Sequence, residues 1–177
     1  MIRARQLFTD RLRIIPGSAE MGRAELEDRD RFGVLLNATV PTDWPPPLND
    51  ENSMKYFTEY VETNPDSVGW AAWYFALKRP DGGFTAVGNG GFKGEPDASG
   101  TVEIGYSIMK KYQRKGLASE AVKALIVLAF SQEKVHRVVA QTFPDLTPSI
   151  RVLEKLGFTF VGDGEEKGSI MYELEQL

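Results

Sequence analysis

Taken from its residues alone, this chain is expected to be an α+β protein: a mixed, mostly antiparallel central sheet with one parallel βαβ crossover. Three observations carry that expectation. Residues from Val68 to Met109 read as three strands separated by two turn-rich stretches. The hydrophobic period then changes from two to helical over Leu117 to Phe130. A β-rich run returns from Val135 to Phe143, and strand, helix and strand over so short a span make the two strands parallel.

The elements follow in order. Thr9 to Pro16 reads as a first strand ended by proline. Ser18 to Arg29 has few breakers and many charges, so it is expected as an exposed helix, followed by a short one around Arg31 to Leu36. The stretch Pro41 to Pro47 is too rich in proline for helix or central strand. Asp50 or Asn52 then caps a helix running to about Thr63. Val68 to Leu77 is nearly all apolar, as in a strand buried on both faces. The glycines of Phe84 to Lys93 mark a bulge or close packing. Val102 to Met109 alternates, with Val102, Ile104, Tyr106 and Ile108 on one face. In the helix from Leu117 the polar strip is narrow, so most of it is buried. Thr147 reads as an N-cap before Pro148, and Gly157 as the matching C-terminal stop. Phe158 to Val161 and Ser169 to Leu174 close the chain as a hairpin.

Length and composition narrow the function. The 177 residues fit one domain spanning 1–177, and 42% hydrophobic residues suffice for a core. The absence of cysteine excludes disulfides, zinc–thiolate sites and thiol nucleophiles, and fits a cytoplasmic setting. The first residues lack the apolar run of a signal peptide, and no stretch approaches membrane-spanning length. A net charge of −4 argues against nucleic acid as a partner. His136 alone cannot make a histidine metal site, so no metal is expected.

The chemistry concentrates between the alternating strand and the buried helix. Lys110, Lys111, Arg114 and Lys115 crowd one connector of an acidic chain. A helix start offers free N–H groups and a positive dipole end, which suit an anion. Gly116 lets backbone approach a bulky phosphate, and Ala118 keeps the first turn clear. An ordinary solvated basic turn remains the alternative. No P-loop occurs, and Gly88-Asn89-Gly90-Gly91 does not give the dinucleotide fingerprint.

Gln113-Arg114-Lys115-Gly116-Leu117-Ala118 resembles the Q/R-x-x-G-x-G/A motif of the GCN5-related N-acetyltransferase (GNAT) superfamily. Val102 to Tyr106 resembles that family's fourth strand. Ser149 to Phe158 and Thr9 to Leu12 resemble segments of its RimJ/RimL-like branch. The resemblance implies acetyl-CoA as co-substrate, its pyrophosphate on the Gln113–Ala118 turn and its pantetheine in a V-shaped splay between the two parallel strands. It implies further cofactor contacts from Ile108, Met109 and Lys110, and direct transfer of acetyl to a primary amine in a ternary complex.

By the same resemblance Glu103 is the candidate base. It could equally be a strand glutamate facing solvent or pairing across the sheet. The family's usual tyrosine acid is replaced by Leu153, so Ser149 becomes the candidate for meeting the leaving thiolate, or simply a first-turn residue of its helix. Leu146 stands where the family often has asparagine. Trp44 and Tyr106 are candidates for the acceptor site, with packing as the alternative for each. The acceptor is a small-molecule amine or a protein N-terminus, and a homodimer is held open. A silent CoA-binding sensor and a protein-interaction module also remain open.

Overall fold

In the computed structural model, which describes residues 5–176, the elements are β1 (Leu7–Phe8), β2 (Leu12–Pro16), α1 (Ala19–Glu27), α2 (Arg29–Leu36), α3 (Glu51–Thr63), β3 (Ala72–Lys78), β4 (Phe84–Phe92), β5 (Thr101–Ile108), α4 (Leu117–Phe130), β6 (Arg137–Thr142), α5 (Thr147–Lys155), β7 (Thr159–Asp163) and β8 (Ile170–Glu175). The eight strands form one sheet in the order β1-β2-β3-β4-β5-β6-β8-β7. All neighbours are antiparallel except β5 and β6, which are parallel. The mixed sheet with one βαβ crossover is the architecture the residues called for.

The crossover opens as it rises. β5 and β6 pair only at Thr101–Arg137, Val102–Val138 and Glu103–Val139. Beyond these pairs β5 continues to Ile108 and β6 to Thr142, each without the other as partner. This is the V-shaped splay. A bulge in β4 aims its upper edge: the register with β3 shifts between Phe75 and Ala76, and the carbonyl of Val87 accepts the N–H of Met109 at 2.8 Å.

Two apolar layers hold the sheet. On one face α4 presses Leu117, Ala121, Val122 and Leu125 against Phe75, Val87 and Ile104. Each of these α4 side chains is at most 2% exposed, and burying each Leu or Val contributes about 1.5–3 kcal/mol. On the other face Ile15, Phe32, Trp44, Tyr74 and Met109 form a second cluster under α1 and α2.

Several boundaries differ from expectation, each for a local reason. The strand expected from Thr9 begins only at Leu12, and Leu7–Phe8 pairs ahead of it as a separate short strand, because Thr9 makes a turn with Leu12: its N–H donates to the Leu12 carbonyl, and its hydroxyl accepts the Leu12 N–H, both at 2.9 Å. β3 starts only at Ala72, because Pro65–Ser67 forms a 3-10 turn and Gly69 has φ 102°. Asp28 ends α1 and caps α2, its carboxylate accepting from the Arg31 N–H at 3.0 Å. Leu146, not Thr147, occupies the N-cap of α5.

Candidate active site

The connector from β5 to α4 is shaped by two left-handed residues, Arg114 (φ 58°) and Gly116 (φ 77°), the latter at the N-cap of α4. Glycine tolerates that conformation, whereas a residue with Cβ is strained there. The Gln113 side chain fixes the base of the turn, its Nε2 donating to the Ile108 carbonyl at 2.9 Å. From Arg114 to Ser119 no backbone N–H has an acceptor among the described residues; the first bond of α4 is Glu120 N–H to Gly116 carbonyl at 3.1 Å. Consecutive free amides at a helix start, bent by left-handed residues, make an anion-binding concavity.

A brace from the far end of the chain holds this turn. Glu120 in the first turn of α4 accepts from the Thr9 hydroxyl at 2.6 Å, from the Arg11 N–H at 2.9 Å and from the Arg11 guanidinium at 2.7 Å. Arg11 also donates to the Lys115 carbonyl at 2.9 Å. Burial pushes the Glu120 carboxyl up, but the bonds from Thr9 and Arg11 outweigh burial and hold it below its ordinary value. The pattern Thr9-Asp10-Arg11 was visible in the sequence, but nothing local linked it to Glu120.

The turn faces a cleft of about 1390 Å³ that also reaches the splay and the loop after α2. Ordinary small-molecule pockets hold about 300–1,000 Å³, so this one has room for a long donor and an acceptor together. Of the candidate cofactor residues, Ile108, Gln113, Arg114, Gly116, Leu117 and Ala118 line it. Met109 does not: it is 2% exposed and packs in the cluster beneath α1 and α2. Lys110 is exposed outside the cleft, offering its carbonyl to the Gln113 N–H. Lys115 does not line it either; its N–H has no acceptor among the described residues, and its ammonium lies 5.4 Å from the Tyr112 ring centre.

Inside the splay, Tyr106 on β5 reaches Ser149 on α5. Its hydroxyl donates to the Ser149 carbonyl at 3.2 Å and lies 3.3 Å from the Ser149 hydroxyl. Burial, opposed by the bond with Ser149, pushes the Tyr106 phenol up to about 12, so it keeps its proton at neutral pH. Leu153, a hydrocarbon side chain, is fully buried in the core. The Tyr106 and Ser149 hydroxyls meet at one place in the splay.

Glu103 and Trp44 are likewise placed away from the cleft. The Glu103 carboxylate is in an ion pair with Lys93 and does not line the cavity, as the cross-sheet alternative required. Trp44 is 7% exposed and packs 5.8 Å from the Phe32 ring instead of facing an acceptor. Its Nε1–H donates to Glu25 at 2.9 Å, and the Tyr74 hydroxyl donates to the other Glu25 oxygen at 2.6 Å. Glu25 does line the cleft. Burial raises its carboxyl above the ordinary value, with the Tyr74 and Trp44 bonds opposing. A charged helix such as α1 gave no sign in sequence that this one carboxylate turns inward.

Residues 21–159 match the Acetyltransferase (GNAT) domain family. Among curated relatives, the uncharacterized N-acetyltransferase YjdG of Bacillus subtilis is 38% identical over 60% of this chain and 61% of its own length. The chain thus spans less than two thirds of that relative. The ribosomal-protein-S5-alanine acetyltransferase structure from Vibrio fischeri superposes with a TM-score of 0.65, covering 97% of this chain and 96% of that one at 18% identity. The RimL ribosomal L7/L12 α-N-protein acetyltransferase in complex with coenzyme A gives a TM-score of 0.64, covering 97% of this chain and 98% of that one at 16% identity. With the splay, the free-amide turn and the match over residues 21–159 together, the chain belongs to the GNAT acetyltransferase family.

Proposed function

We propose that the protein is an acetyl-CoA-dependent N-acetyltransferase in which one domain carries both substrate sites. The observation that carries this reading is the run of unpaired amides from Arg114 to Ser119, set where β5 and β6 part. These amides would hold the donor's pyrophosphate, with Arg114 as the nearest flexible cation. Ile108 and the walls of the splay would hold pantetheine. The donor supplies an activated acetyl thioester, and the chain's own groups do the rest. The splay orients the thioester toward the face of Ser107 and Asn89. The Tyr106 and Ser149 hydroxyls sit where the leaving sulfur would be met, and a retained phenolic proton can stabilise or protonate it. The incoming nitrogen must lose a proton. With Glu103 engaged by Lys93, that proton passes to water in the open cleft. Attack in a ternary complex suits a cleft that admits donor and acceptor together.

Relatives named for ribosomal proteins favour an amine at a protein N-terminus, and a small-molecule amine fits the same cleft. No helix among the described residues is long and apolar enough to cross a membrane. A cytoplasmic setting suits a chain without cysteine. The test is thermal unfolding with acetyl-CoA, CoA or ATP. Stabilisation by both CoA species and not by ATP is expected, and no stabilisation by either CoA species would overturn the reading.

A further inference from the structure

Glu25 is a carboxylate turned into the cleft without a counter-ion. Both of its partners, Tyr74 and Trp44, are neutral donors, and no Lys, Arg or His among the described residues forms an ion pair with it. Each carboxylate oxygen has taken one hydrogen bond and retains a further lone pair. A desolvated anion held this way is costly unless a cation reaches it. Among the described residues none comes within ion-pair distance, and the open side of the group is the cleft.

The sheet beneath explains where that cation would lie. Tyr74, Asn89 and Ser107 are directly paired across β3, β4 and β5, so their side chains share one face. The neighbouring row on that face is Ala72, Gly91 and Gly105, which leaves a trough almost free of side chains. The loop after α2 roofs it, latched by the Ser107 hydroxyl to the Pro47 carbonyl at 2.5 Å and by Asn89 Nδ2 to Asn49 Oδ1 at 2.9 Å. One end of the trough is Ser107, beside the splay, and the other is Tyr74 with Glu25. Strands lie about 4.8 Å apart, so the two ends are separated by roughly 10 Å.

We infer that Glu25 receives a second cationic group of the acceptor, so that favoured acceptors are amines carrying another positive charge roughly 10 Å from the reacting nitrogen. This rests on the acetyl-transfer reading and names the substrate class of that same site. A polyamine and a peptide with a basic side chain near its N-terminus share this chemistry. Glu25 selects and positions the acceptor and takes no part in bond making. The raised carboxyl agrees with the geometry, since an arriving ammonium would return the group to its charged form.

The test compares octane-diamine with octylamine as acceptors, and the tripeptides Ala-Gly-Lys and Ala-Gly-Ala, at saturating acetyl-CoA. In the wild-type enzyme kcat/KM for the doubly charged member of a pair should exceed the other by roughly tenfold. The pair showing the larger ratio identifies polyamine or peptide as the source. In Glu25→Gln that ratio should fall to about one, while the acetyl-CoA Kd stays as in wild type. Taking a ratio cancels any packing loss common to both acceptors, and Tyr74→Phe, which keeps the charge, should retain most of it. Equal use of both members by wild type, an undiminished ratio in Glu25→Gln, or acetyl-CoA binding without transfer to any of the four would overturn the assignment and leave the donor site standing. Failure to bind acetyl-CoA would instead remove the reading on which it rests.

Discussion

At the start of α4 the donor turn is assembled from backbone, between residues close in sequence. Across the sheet, the acceptor trough is assembled from side chains of α1, β3, β4, β5 and the loop after α2. The donor turn is built locally from a strand end, Gln113, Arg114 at φ 58° and Gly116 at φ 77°, with Arg11 on Glu120 as its brace from afar. The trough needs Glu25 to meet Tyr74, which lies far along the chain, and needs Asn49 to reach Asn89. A backbone site can stay fixed while its surface changes, because amides are common to all residues. A side-chain site can change its ligand with single substitutions. One molecule can therefore keep its donor and vary its acceptor.

The two regions meet in the splay. Combining Tyr106→Phe with Ser149→Ala removes both hydroxyls from the splay. Steady-state kinetics should then show kcat lower by roughly a hundredfold, the scale of losing a preorganised donor to a developing anion, with acetyl-CoA affinity little changed. A double variant with normal kcat would remove the splay hydroxyls from the chemistry.

A smaller effect is expected from the brace. Glu120→Gln loses charge-assisted bonds to Thr9 and Arg11 worth about 1 kcal/mol, given that Arg11 is 46% exposed. The acetyl-CoA Kd should rise a few-fold, since the turn is braced at Lys115 through the same Arg11. Because the folded-state carboxyl is held below its ordinary value, its stabilisation is present above that ordinary value. It is lost as pH falls through the lowered folded value. Wild type and Glu120→Gln should accordingly differ in Tm at neutral pH and converge in acid. A difference independent of pH would assign the brace to packing.

The smallest effect sharpens the acceptor side. Glu25 has a raised carboxyl in the folded protein, so its contribution to stability is greatest below the ordinary glutamate value and declines as pH rises through the raised one. Thermal melts of Glu25→Gln should gain on wild type as pH increases over that window. An opposite trend would mean that the protein already pairs this charge.

What could be read from the residues divides along the same line. The period change at Leu117, the Pro148–Gly157 boundaries of α5 and the Gln113–Ala118 turn are local patterns, and local patterns survive in sequence. The splay was implied by resemblance and became visible as the end of β5–β6 pairing after Glu103. Trp44 was a candidate for the acceptor site with packing as the alternative, and its indole packs inward and holds Glu25. Glu103 alternates onto the acceptor face, yet Lys93 takes its charge. Glu25 itself was hidden among the charges of α1, because the direction of one side chain on a helix is set by tertiary packing. Tyr106 and Ser149 are separated by α4 and β6, so their meeting could not be inferred from spacing.

The α4 turn is proposed to bind the donor through its amides. Calorimetric binding of acetyl-CoA to wild type and to Gly116→Val tests it most directly. Valine at φ 77° opposes the turn by about 1–2 kcal/mol and displaces the amides on either side. Tight binding by wild type is expected, with a Kd raised about tenfold or more in a variant that still melts cooperatively. Equal affinity of the two proteins for acetyl-CoA would contradict it.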